Sequence, residues 1–188
     1  MRAMRAVDPR VSFAELEQWP DTGRHERYEL YDGEVIVVPA PFPRHQRVAG
    51  HIGEVLGEYE RATGGLVFDV PIDIVLSAHN ALQPDVVFFR KERRHLIDMM
   101  QATHVPPDLA VEVLSRSTEV RDRGRKMQLL ARFGVPEYWI ADPVENRLEV
   151  YALRNGEYEL IGTYNQHQDV TSPTLAGLSF AAGRIFEE

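Results

Sequence analysis

Three residues of this chain carry the charges that metal-assisted hydrolysis uses, at positions whose neighbours are apolar. Between Glu119 and Phe133, Lys126 shares a helical face with Leu129, Leu130 and Phe133, at spacings of three, four and seven. Upstream, Leu109-Ala-Val-Glu-Val-Leu114 reads as a core strand interrupted by one carboxylate, Glu112, and Asp85 opens another apolar run, Val86-Val-Phe-Phe89. Burying an unpaired ion costs on the order of several kcal/mol, so these groups must pair, shift their pKa values or bind a cation. Carboxylates at the entrance of one strand and within its neighbour can converge on one point, and oxygen-rich convergence suits Mg²⁺ or Mn²⁺. Asp85 and Glu112 are the expected ligands. A nearby lysine could position or deprotonate a water and offset charge developing on phosphorus. The competing reading is a buried structural ion-pair network, which perturbs pKa values without catalysis.

Periodicity predicts the elements that must position them. Ser12-Phe-Ala-Glu15 is a capping-box pattern for a short helix ending before Pro20. Arg24 to Val38 reads as a hairpin turning at Asp32-Gly33, which makes Glu29 a strand carboxylate, facing either solvent or the site. From His45 to about Arg61, Val48, Ile52, Val55, Leu56 and Tyr59 mark an amphipathic helix closed by Gly64-Gly65. His45 lies on that face and reads as a packed residue near the helix start, not as a catalytic base. Leu66 to Val70, Ile72 to Leu76 and Gln83 to Phe89 read as strands, and a helical excursion is expected around Leu96, Met99 and Met100. The Glu112 strand and Lys126 helix precede a strand Glu137-Tyr-Trp-Ile-Ala-Asp142, whose Tyr138 and Trp139 read as core and sheet-edge residues. A hairpin about Asn155-Gly156 and an apolar tail that docks through Leu175, Leu178, Phe180 and Phe186 complete an α/β arrangement around one mixed sheet.

At 188 residues the chain fits one domain, expected to span 1–188 with the N-terminal helix and hairpin, about 12–38, packed on the core. No apolar run reaches membrane-span length, and the first ten residues lack the hydrophobic region of a secretory signal, so a cytoplasmic location and no membrane partner are expected. Zero cysteines exclude disulfides and thiolate metal sites. His25, His51, His79, His95, His104 and His167 lack zinc-ligand spacing. The net charge of −8 argues against a dedicated nucleic-acid coat protein without excluding an enzyme acting on nucleic acid. Basic clusters at Arg90 to Arg94 and across Arg116, Arg121, Arg123, Arg125 and Lys126 could steer phosphates to the acids, or be solvated surface.

The segments Tyr28-Glu-Leu-Tyr-Asp-Gly-Glu34, Pro41 to His45, Gln83-Pro-Asp-Val-Val87, Val111-Glu-Val-Leu-Ser-Arg-Ser-Thr118, Asp122 with Lys126, and Gly134-Val-Pro-Glu-Tyr-Trp-Ile-Ala-Asp-Pro143 together resemble the Uma-type family of restriction-endonuclease-like proteins. The resemblance covers roughly residues 13 to 180 and implies the PD-(D/E)xK nuclease fold, a mixed β-sheet flanked by α-helices. It matches Asp85 to the acid of the Pro-Asp half-motif and Glu112 to the second acid. The wider superfamily places a lysine two positions later, where this chain has Leu114, whereas the family's helix lysine matches Lys126. Glu29 resembles a further acidic position that could hold a second metal or a water. The implied activity is Mg²⁺- or Mn²⁺-dependent endonucleolytic cleavage of DNA, with Asp85, Glu112 and the Val113 carbonyl holding metal, Lys126 orienting and deprotonating water, and Glu29 assisting. A homodimer is expected, since duplex cutting often uses paired sites. The alternative is a catalytically silent module of the same fold that binds nucleic acid or a protein partner.

Overall fold

The computed structural model describes residues 10–19 and 27–187. Pro20 and the expected hairpin start, residues 24–26, lie outside them. Ser12 caps α1 (Phe13–Leu16) in a reciprocal capping box with Glu15. Strands β1 (Arg27–Tyr31) and β2 (Glu34–Val38) then pair antiparallel about Asp32-Gly33, both at positive φ, the backbone that a two-residue hairpin with the right twist needs. After Pro39 to Phe42, α2 (Pro43–Thr63) begins with proline at its first turn and ends at Gly64, left-handed at φ 81°.

Strands β3 (Leu66–Phe68), β4 (Ile74–Ser77), β5 (Asn80–Leu82) and β6 (Val86–Phe89) follow. The expected helical excursion is one 3₁₀ stretch, Lys91–Leu96, while Met99 and Met100 lie beyond it and are exposed. Next come β7 (Leu109–Val113), α3 (Glu119–Arg121), a π turn (Asp122–Lys126), α4 (Met127–Arg132), β8 (Glu137–Asp142), β9 (Arg147–Arg154) and β10 (Glu157–Asn165). The tail forms β11 (Asp169–Thr171), β12 (Ser179–Ala181) and α5 (Gly183–Phe186), and Leu175, Leu178, Phe180 and Phe186 are all buried. Among the described residues no helix is long and apolar enough to cross a membrane.

The strands build a six-stranded sheet in the order β10-β9-β8-β7-β6-β3, in which only β7 and β8 run parallel. A second, antiparallel sheet has the order β2-β1-β5-β4. Side-chain alternation divides the core between the two faces of the larger sheet. Val86, Phe88, Val111, Val113, Trp139 and Ala141 face α2 and the tail. Val87, Ala110, Tyr138 and Ile140 face α4 and the residues Tyr31, Ile74 and Leu82 of the smaller sheet. Tyr138 and Trp139 are therefore core residues of an interior strand with neighbours on both sides, so the core expectation holds and the sheet-edge one fails. The same alternation turns Glu112, next to Ala110 in period, toward the face that α4 covers.

Candidate active site

Asp85 immediately precedes β6, where its backbone N–H still donates to the Val111 carbonyl of β7 at 3.1 Å. Its Oδ2 accepts the Val113 amide at 2.8 Å and lies 3.1 Å from His45 Nε2 in the first turn of α2. Three elements thus converge on one carboxylate. The neighbouring carboxylate, Glu112, meets Lys126: Nζ is 2.6 Å from Glu112 Oε1 and 2.8 Å from Glu29 Oε1, and all three side chains are buried. Lys126 bridges an acid of the large sheet and an acid of the small one.

Glu29 is fully buried because it shares its strand face with Tyr31, which belongs to the core under α4. Its oxygens accept the Gln83 amide at 2.9 Å and the Tyr31 hydroxyl at 2.8 Å, and Arg121 Nε lies 3.8 Å away. Through these contacts Glu29 is held in place and anchors Lys126. The π turn ends at Lys126, and at its start the Asp122 carbonyl accepts the hydroxyl of buried Tyr138 at 3.1 Å. A π turn widens the helix locally and changes which side chains face the sheet. Here both Asp122 and Lys126 are buried.

Asp85, Glu112 and Lys126 line a pocket of about 110 Å³ whose walls also include Arg27, Phe42, His45 and Arg121. Four carboxylates, Glu29, Asp85, Glu112 and Asp122, crowd two permanent cations, Lys126 and Arg121. Burial pushes Glu112 up, Lys126 opposes, and the charges of Asp85, Asp122 and Glu29 carry its carboxyl well above the usual range. Burial also raises Asp122, with Lys126 and Thr118 offsetting only part. For Asp85 burial is outweighed by the hydrogen bond and charge of His45, which hold it low. Glu29 is held low against burial by Lys126. Burial favours neutral Lys126, yet Glu112 and then Glu29 outweigh it and hold the ammonium charged well above the ordinary lysine range. The charged ammonium donates to both acids.

Among the described residues, no three histidine or carboxylate side chains form a ready-made metal cluster. Two carboxylates nevertheless suit a small divalent cation that keeps several waters and takes further oxygens from a phosphate. Glu112 Oε1 is ion-paired with Lys126 at 2.6 Å, whereas His45 Nδ1, Gln83 Oε1 and Asp122 Oδ1 are buried without a hydrogen-bond partner. The excess of buried negative charge, with the unsatisfied oxygens of Gln83 and Asp122 beside it, fits a divalent cation on Asp85 and Glu112. Val113 lines the same pocket, and its amide is spent on Asp85.

The profile of the Uma2 family, described as "Putative restriction endonuclease", matches residues 13–183. The chain belongs to the Uma2 family. It is also similar to the uncharacterized protein slr1290 of Synechocystis sp., with 28% identity over 186 residues that cover 95% of this chain and 92% of that protein. A crystal structure described as "a putative nuclease belonging to DUF820", from Anabaena variabilis, has a similar fold, with TM-score 0.76 and 19% identity over 94% of this chain and 97% of that one. The restriction-endonuclease-like α/β fold expected from sequence is thus the fold of this Uma2 member.

The fold brings Asp85, Glu112, Lys126 and Glu29 to one place and adds His45, which sequence reasoning left out and which touches Asp85 directly. Its place in the first turn of α2, just after the proline-rich break, was the available signal. The basic clusters depart further from expectation. Arg90 and Arg93 pair with Asp108 at the far end of β6, away from Asp85. Arg123 is paired with Glu149, and Arg125 with Glu34.

Proposed function

We propose that this chain is a divalent-cation-dependent phosphodiesterase that cleaves DNA. The observation that carries the reading is the buried Glu29–Lys126–Glu112 bridge opening, beside Asp85, into a solvent-reaching pocket. A bridge serving stability alone gains nothing from an open side, because desolvation already offsets much of its attraction. Asp85 and Glu112, with the Val113 carbonyl, would hold Mg²⁺ or Mn²⁺. Such an ion supplies charge neutralisation and polarisation of a phosphoryl oxygen. His45 fixes the orientation of Asp85, as outer partners of ligand carboxylates do. Lys126, charged and anchored by Glu29, donates to the attacking water or to a phosphoryl oxygen as negative charge grows during in-line displacement. A homodimer would bring two such pockets to the two strands of a duplex.

Incubation of wild type and Glu112→Gln with plasmid, single-stranded DNA and structured RNA, each in Mn²⁺, Mg²⁺ or EDTA, tests the reading. Cleavage should require both the metal and Glu112. Folded protein that cuts nothing would leave the second reading, a silent module that binds nucleic acid or a protein partner. The net charge of −8 favours that alternative, since it suits a subunit of a larger assembly better than an independent nuclease.

A further inference from the structure

Phe42 stands 70% exposed on the wall of the pocket that holds Asp85, Glu112 and Lys126. Its backbone is fixed by sequence. Pro39, Pro41 and Pro43 surround it, and a residue before proline is confined to extended conformations, as its φ of −80° and ψ of 159° reflect. An aromatic ring held out to solvent by a stiff segment loses little entropy when it engages a ligand. No packing role accounts for it, because the buried face of α2 begins only with His45 and Val48.

The charge around the pocket narrows the ligand. Tight duplex binding rests on many phosphates neutralised by free lysines and arginines. Cations of the segment that carries Lys126 are largely spent internally: Arg123 on Glu149, Arg125 on Glu34, Arg132 on Asp32, and Arg121, on the pocket wall, beside Glu29 and Asp122. Arg27, on the pocket wall, exposed Arg116, between the wall residues Ser115 and Ser117, and exposed Arg47, two residues after His45 in α2, are in no ion pair with the described residues. These few scattered arginines form no dense basic track for an extended duplex backbone, and the acids lie recessed in a narrow pocket. An unpaired strand can turn one base onto an aromatic ring and lower its phosphate inward, which stacked and paired bases resist.

We infer that Phe42 is a base-stacking platform and that the site takes single-stranded or locally unpaired nucleic acid in preference to intact duplex. The inference rests on the phosphodiesterase reading for the chemistry, but recognition by Phe42 is measurable without cleavage. Fluorescence anisotropy in EDTA would compare a dye-labelled oligothymidylate with its duplex on full-length wild type, Phe42→Ala and Phe42→Trp. Each variant's melting temperature should match wild type, since the side chain is exposed.

Oligothymidylate should bind more tightly than duplex. Phe42→Ala should weaken single-strand binding by about 5- to 150-fold, the loss of one stacked base, while Phe42→Trp keeps it. Contacts from so few arginines predict a shallow salt slope, log K against log salt of about −1.4 to −2.1 for two to three phosphates. Wild-type affinity in Phe42→Ala, preference for duplex, or no binding to either would overturn the inference. A cleavage assay with Mn²⁺ separates the two ideas: Phe42-dependent binding without Glu112-dependent cleavage retains the platform and removes the phosphodiesterase, and the reverse result does the opposite.

Discussion

Replacing Lys126 by methionine keeps most of the side chain's length and removes its charge, which isolates the electrostatics of the bridge. Two contacts disappear, at 2.6 Å to Glu112 and 2.8 Å to Glu29. Breaking one buried pair typically costs about 3–5 kcal/mol, chiefly because a charge is left buried alone. The two losses should not simply add. Glu29 keeps the Tyr31 hydroxyl and the Gln83 amide, and Glu112, already inclined to hold a proton, can neutralise itself. The expected loss is therefore about 3–4 kcal/mol at neutral pH, near the lower end of that range. Glu112→Gln in the Lys126→Met background should restore part of it, with a coupling of about 1–3 kcal/mol between the sites. The pH dependence has a definite sign. In wild type the depressed Glu29 contributes stability above the ordinary carboxyl value of 4.5, lost as pH falls through its folded value. Without Lys126, both carboxyls lose the charge that lowered them, so their folded values rise and the variant should recover stability relative to wild type as pH falls toward 4.5. Urea denaturation at neutral and mildly acidic pH measures this. A Lys126→Met protein within about 0.5 kcal/mol of wild type, or one whose deficit is unchanged by acid, would refute the reasoning.

Tyr138→Phe removes only the oxygen that holds the Asp122 carbonyl, and should cost about 1–3 kcal/mol in urea denaturation while lowering any Glu112-dependent cleavage. His45→Ala leaves Asp85 without its outer partner; a thermal-shift titration should report Mn²⁺ affinity reduced about 10- to 100-fold, and an unchanged affinity would remove His45 from the site. Mn²⁺ affinity of wild type should rise with pH, because the elevated Glu112 carboxyl must release its proton to ligate, and calorimetry in buffers of different ionisation enthalpy would count that proton. Glu149 is held low, against burial, by hydrogen bonds from Arg123 and Tyr151, so Glu149→Gln should cost about 1–3 kcal/mol at neutral pH and almost nothing once acid has protonated the wild-type group.

Much of the site was legible because burial and charge conflict locally. Lys126 stood out against Leu129 and Leu130, which follow it in ordinary α geometry, and against Phe133 at the helix end, and Glu112 broke an otherwise apolar strand. The hairpins turning at Asp32-Gly33 and Asn155-Gly156 were equally readable, since positive φ at both turn positions selects those residue pairs. The hidden parts depend on partners distant in sequence. His45 gains its role from Asp85, forty residues on, and the orientation of Glu29 depends on which face of β1 meets α4. Short β5, β11 and β12 carry three residues each, too few for alternation to register. The basic clusters were legible only in part, because a sequence shows charges without showing that Asp108, Glu149 and Glu34 absorb Arg90, Arg123 and Arg125 while Arg121 reaches the pocket.

The π turn gives the chain a dependence on residue number as well as residue type. An α-helix advances about 100° per residue, and a π turn amounts to one additional residue accommodated within it. Deleting Gly124, at the middle of that turn, would let the helix close into regular α form without removing any charged or apolar side chain. Everything upstream would then rotate by about 100° relative to Leu129 and Leu130. Asp122 and Arg121 would swing away from Glu29 while Lys126 stayed seated among the core leucines. The arrangement of the pocket is in this respect a matter of phase: a chain with every site residue intact, but one position shorter between Glu112 and Lys126, would present them out of step.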